Sequence, residues 1–139
     1  MSYIFLEHPS DVKILVKAKS LKELFLESLR AMFEIISGRD LSSFIDSKHK
    51  KLREIEVKSL DREVLLADFL AEALALSEIY NEIYFGCEFI EFDENFLKGL
   101  LYALPLDKKV KEIKAVTYHN LKIEKIKENH WEATLLFDI

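Results

Sequence analysis

The segment from Val64 to Ile79 does most to narrow the fold of this chain. Val64, Leu65, Leu66, Phe69, Leu70, Leu74, Leu76 and Ile79 recur at helical spacing, yet they spread around much of the circumference instead of forming one stripe. Asp61 precedes them as an N-cap, so a helix is expected from there to about Tyr80. A helix with that distribution needs cover on more than one side. No stretch reaches the roughly 20 apolar residues that span a bilayer. The opening residues lack a basic region followed by a long apolar one. A soluble, cytoplasmic protein with no membrane partner is therefore expected.

The cover for that helix comes from a second helix and several strands. Ser20-Leu21-Lys22-Glu23 has the pattern of a capping box. Leu21, Leu24, Phe25, Leu29, Met32, Phe33 and Ile36 follow as one apolar stripe, and Gly38 is the expected stop. Such a stripe is core, not a cofactor box. Alternation marks the strands. Ile4 to Glu7 reads as a short one, with a turn at His8-Pro9-Ser10. Asp11 to Lys19 places Val12, Ile14, Val16 and Ala18 on one face and Asp11, Lys13 and Lys17 on the other. Lys50 to Ser59 reads as a strand through Leu52, Ile55 and Val57. Ile83 to Phe92 and Phe96 to Leu104 flank a turn at Asp93-Glu94-Asn95. Lys114 to Lys125 and His130 to Ile139 form the last pair, with the connection near Lys127-Glu128-Asn129.

The order ββαβαββββ with short connections predicts a two-layer α+β fold, in which two main helices lie on a mostly antiparallel or mixed sheet. With 139 residues, half of them apolar, the whole chain from 1 to 139 suits one domain.

Composition limits the chemistry. The net charge is −5 and no long basic block occurs, which disfavours unaided binding to a phosphate backbone. The run His49-Lys50-Lys51-Arg53 is expected to be a solvated strand end. Cys87 is the one cysteine, so no internal disulfide can form, and its apolar neighbours mark it as a small strand residue, not a nucleophile. No phosphate loop, Gly-x-Ser-x-Gly elbow or Cys/His zinc spacing is present. Asp68 and Glu72 lie one turn apart on the second helix and are expected to form an exposed polar stripe. The four histidines read as surface or structural residues.

One acidic arrangement stands apart. Trp131, Ala133, Leu135 and Phe137 form the buried phase of the last strand, so Asp138 points away from the core, as Asp11 does on its own strand. If the two strands are neighbours, both carboxylates open onto one sheet face, joined by the terminal carboxylate of Ile139. Oxygen-only ligands select a hard cation, Ca²⁺ or Mg²⁺, with Mn²⁺ possible. Taken on residues alone, two aspartates this far apart in a chain are ordinarily two solvated ones.

The block Lys114-Ala115-Val116-Thr117-Tyr118-His119-Asn120-Leu121-Lys122-Ile123 resembles the signature of the archease family. The ending Leu136-Phe137-Asp138-Ile139 is similar to that family's terminal Asp-Ile. The early stretch Glu7-His8-Pro9-Ser10-Asp11-Val12 is similar to its His-Thr-Ala-Asp-Val-Gly motif. Pro9 and Ser10 replace the usual Thr-Ala, and Lys13 stands where glycine is common, beside the expected ion site.

The resemblance implies a role. Archeases act with RtcB-type RNA ligases in tRNA splicing or RNA repair, promoting the GTP-dependent guanylylation of the ligase and its repeated turnover. It implies that Asp11, Asp138 and Ile139 bind a divalent ion, Ca²⁺ being the first expectation, and that Lys114 serves the partner. His8 and His119 are the other expected contacts with it. The chain would then be an activator and not itself an enzyme, reaching tRNA only through the ligase. The alternative is a general protein-binding chaperone module, for example for an RNA methyltransferase, with a structural ion.

Overall fold

The computed structural model describes residues 2–8, 11–44 and 51–139, with the main chain alone at 5–8. In chain order the elements are β1 (Ser2–His8), β2 (Asp11–Ala18), α1 (Leu21–Ser37), a short 3₁₀ turn (Ser42–Phe44), β3 (Lys51–Lys58), α2 (Arg62–Tyr80), β4 (Glu82–Phe92), β5 (Phe96–Pro105), β6 (Ala115–Val116), β7 (Lys122–Lys127) and β8 (His130–Asp138).

Local chemistry sets the helix ends. The Ser20 hydroxyl accepts from the Glu23 N–H at 3.1 Å, and Glu23 reaches back to the Lys19 N–H at 3.2 Å, one residue before the expected partner. Gly38 takes a left-handed φ of 67° and its N–H donates to Glu34, which closes α1. In α2 the Asp61 carboxylate accepts from Val64 at 2.9 Å, and Asn81 ends the helix with φ 56°.

The strands divide into two antiparallel sheets where the sequence suggested one. The first runs β1-β2-β8-β6, with β7 also paired to β8; the second runs β3-β5-β4. α1 packs against β2 of the first sheet and β4 of the second. α2 packs against β3 and β4 and reaches β6 and β7. That is the cover α2 requires, and Leu65, Leu66, Phe69 and Leu70 are fully buried by it. Ile14, Val16, Leu135 and Phe137 close the core from the first sheet, and Tyr84, Leu97 and Leu101 from the second. Each large side chain so buried is worth about 1.5–3 kcal/mol. The result is a two-layer α+β fold.

Three expectations need correction. The stretch from Lys114 to Lys125 is not one strand. It breaks after Val116 into a turn where Asn120 has φ 60°, and pairing with β8 resumes at Lys122. Leu52 is half-exposed, because β3 buries the odd positions Ile55 and Val57 and so turns Leu52 outward. Arg53 is not a solvated strand end. It forms a two-pronged pair with buried Glu82 at 3.0 and 2.9 Å and lies 3.5 Å from the centre of the Tyr80 ring. Pro9 and Ser10, His49 and Lys50, and the residues from Ile45 to Lys48 lie outside the described residues.

Candidate metal centre

β2 and β8 are antiparallel neighbours, and their register sets Asp11 directly opposite Asp138. Directly opposed residues in such a pair project to the same face. The core takes Val12, Ile14 and Val16 from β2 and Ala133, Leu135 and Phe137 from β8. Both aspartates therefore stand on the outer face, Asp11 half-buried and Asp138 exposed. The row continues on each side. His8 of β1 is in register with Asp11, and Ala115 of β6 with Asp138.

Short β6 is held by its main chain. The Lys114 N–H donates to the Asp138 carbonyl at 2.7 Å, and both the N–H and hydroxyl of Thr117 donate to the Leu136 carbonyl, at 3.0 and 3.1 Å. The half-buried Ile139 side chain packs against the core, which anchors the main chain just beyond Asp138. Two carboxylates in direct cross-strand register repel each other unless positive charge lies near. Among the described residues no cluster of three His, Cys, Asp or Glu side chains gathers. A cation here would draw side-chain oxygens from Asp11 and Asp138, with main-chain oxygen from Ile139. That donor set fits a hard ion.

The structure thus brings Asp11, Asp138 and Ile139 together, with His8 in the same row by its main chain. Lys114 and His119 are placed differently. Lys114, exposed and just before β6, lines an open cleft of about 500 Å³ with Ala71, Leu74 and Ala75 of α2. His119 is exposed in the turn after β6, beyond the row.

Asp68 was missed as a participant. Far from lying in an exposed stripe, it is half-buried and accepts hydrogen bonds from the hydroxyls of Ser59 and Tyr118. This pins the turn that carries His119 to α2. The bond to Asp68, with burial and the nearby negative charge, raises the Tyr118 hydroxyl to about 12. The signal in the sequence was a lone acid within the apolar run from Leu65 to Leu70. Glu72 is exposed as expected. Cys87 is buried, and burial pushes its thiol up to about 12, which leaves it no nucleophilic thiolate near neutral pH. Among the described residues no helix is long and apolar enough to cross a membrane.

Both the chain and its two-layer α+β fold have relatives among known proteins. The family model described as "Archease protein family (MTH1598/TM1083)" matches residues 3–139. This chain belongs to the archease family. It is 33% identical over 140 residues to "Protein archease" of Pyrococcus abyssi, covering 96% of this chain and 95% of that one. It is 34% identical over 145 residues to "Protein archease" of Methanosarcina acetivorans, covering 99% and 95%. The fold is similar to the solution structure of Methanobacterium thermoautotrophicum protein 1598, with TM-score 0.70 and 23% identity over 99% of this chain and 98% of that one. It is also similar to the crystal structure of an archease from Thermotoga maritima, described as a possible chaperone, with TM-score 0.65 and 23% identity over 96% and 94%. At that identity the structural likeness concerns the fold alone.

Proposed function

We propose that this protein is an accessory factor that promotes guanylylation and repeated turnover of an RtcB-type RNA ligase, using a divalent cation held by Asp11, Asp138 and the main chain of Ile139. The register that sets Asp11 opposite Asp138 carries this reading, and family membership supports it. Ca²⁺ is the first expectation for the ion, with Mg²⁺ or Mn²⁺ as alternatives.

Guanylylation sets a nucleophile against a triphosphate, so its barrier is dominated by negative charge that must be neutralised and positioned. When bound, the cation supplies positive charge beside that phosphate chain. The two aspartates hold the ion site at the sheet end, where it can enter the active site of a larger protein. The Lys114 main chain fixes β6 beside Asp138, while its exposed side chain can meet a carboxylate or phosphate of the partner. The turn carrying His119 is held out for contact by the Tyr118–Asp68 bond. Neither tRNA nor a membrane is bound directly. The chain is an activator with no turnover of its own.

The test follows covalent GMP on the ligase with added wild-type, Asp11→Ala or Asp138→Ala protein. Loss of stimulation is expected with either substitution, and full stimulation refutes the cation mechanism. A second reading rests on the Thermotoga maritima structure, whose protein is described as a possible chaperone. On it the chain is a protein-binding module with a structural ion. That reading is favoured if a folded, ion-loaded protein prevents aggregation of a client yet leaves ligase guanylylation unchanged.

A further inference from the structure

The last residues of β8 are gripped at two points along one edge. The Lys114 N–H donates to the Asp138 carbonyl at 2.7 Å. The Leu136 carbonyl receives two bonds from a single residue, the Thr117 N–H at 3.0 Å and the Thr117 hydroxyl at 3.1 Å. A carbonyl oxygen offers two lone pairs, so Thr117 by itself satisfies this one. The N–H bond is available to most residue types, whereas the second tie needs a short hydroxyl side chain. Thr117 is in turn held from both flanks. Val116 before it is buried and in register with Phe137, and Tyr118 after it donates to Asp68 of α2. The branched Cβ of threonine restricts its χ1, which helps to fix the direction of the hydroxyl. Phe137, between Leu136 and Asp138, is fully buried. The end of β8 is thus fixed at three successive residues: the carbonyl of Leu136, the ring of Phe137 and the carbonyl of Asp138. The Asp138 side chain is exposed, so it is the main chain beneath it, and not packing, that directs its carboxylate.

We infer that Thr117 is a positioning residue, whose hydroxyl clamps the end of β8 and sets the Asp138 carboxylate opposite Asp11 before any ion arrives. This rests on the proposed cation site and names a residue that prepares it. An ion held by oxygens from two strands must offset the entropy lost when those ligands are ordered. Ligands already ordered by the fold remove that cost from the binding step. The hydroxyl bond is neutral and is backed by the N–H bond to the same oxygen. Its loss therefore loosens the strand end without dismantling the sheet.

The experiment compares wild type with Thr117→Val, which keeps the branched stem and the main-chain bond but removes the hydroxyl, and Thr117→Ser, which keeps the hydroxyl. Calcium chloride is titrated calorimetrically into each full-length protein, well below the melting transition of all three. Thr117→Val is expected to bind about three- to tenfold more weakly, and Thr117→Ser about as tightly as wild type. A role in stability alone lowers the melting temperature of Thr117→Val and leaves the affinity of the folded protein where it was. That result overturns the inference while leaving the cation site standing, and so does a Thr117→Ser affinity no better than that of Thr117→Val. If wild type binds none of calcium, magnesium and manganese, the cation reading itself fails, and amide hydrogen exchange of the metal-free proteins decides on the clamp. The Lys114 N–H, bonded to Asp138, is then expected to exchange about three- to tenfold faster in Thr117→Val than in wild type or Thr117→Ser. Equal exchange in all three overturns it.

Discussion

The hydroxyl of Tyr118 donates to Asp68 across 50 residues of sequence, which ties the turn following β6 to the middle of α2. The bond favours the neutral phenol in the folded protein. Its stabilising effect is complete below pH 10, the ordinary tyrosine value, and is lost as pH rises toward about 12. Tyr118 is 52% exposed, so solvent screens the effect and its size is modest. An alkaline absorbance titration is expected to lose its component near 12 in Tyr118→Phe, and in Asp68→Asn that component shifts toward 10. A Tyr118→Phe titration identical to wild type would contradict the bond.

The Arg53–Glu82 pair predicts a stability defect that depends on pH. Burial pulls the Glu82 carboxyl upward, but Arg53, the Tyr84 hydroxyl and Lys51 together outweigh it and hold Glu82 below its usual 4.5. A depressed carboxyl contributes stability above pH 4.5 that is lost as pH falls through the folded value. In Arg53→Met the buried charge keeps, among the described residues, Tyr84 and exposed Lys51. That variant is expected to have a much lower urea midpoint at pH 7, with the deficit shrinking toward pH 4 as Glu82 takes up a proton. Arg53→Met/Glu82→Leu should recover part of the loss at pH 7. Equal deficits at both pH values would argue against a charge origin.

Gly38 closes α1 with a φ that side chains resist, and an added Cβ would lie 2.8 Å from Cγ2 of Val110. Gly38→Ala is expected to cost about 1–2 kcal/mol from the backbone conformation, measured by equilibrium urea unfolding. Val110 is an exposed side chain and can shift, so Gly38→Ala/Val110→Ala should recover little of that cost.

Lys114 lines a cleft with residues of α2 and is not in the cross-strand row of Asp11 and Asp138, so the contributions proposed for them should separate. Lys114→Ala is expected to reduce ligase stimulation while leaving the calcium-induced rise in melting temperature of the free protein unchanged. Asp138→Ala should abolish both. If Lys114→Ala abolishes the calcium response, the two sites are not independent.

Features governed by neighbours in sequence were legible in it. Ser20 and Asp61 cap the helices, Gly38 ends the first, and the alternation in Val12–Ala18 and Ala133–Phe137 separates core from solvent as read, with Trp131 only partly buried. Parity alone put Asp11 and Asp138 on outer faces, but it does not choose partners, so their direct opposition is a product of long-range sheet order. The division into two sheets was hidden for the same reason. Leu52 misled because an apolar residue can sit on either face of an edge strand. Asp68 and Arg53 were read as solvated because polar residues usually are, and their partners Tyr118 and Glu82 lie 50 and 29 residues away.

The pairing of β2 with β8 joins strands that both helices and the whole of the second sheet separate along the chain. Asp11 faces Asp138 only while those two strands are zipped together, and no local segment carries both residues. The acidic row therefore reports closure of the entire first sheet, and any condition that unzips β8 takes the row apart at once.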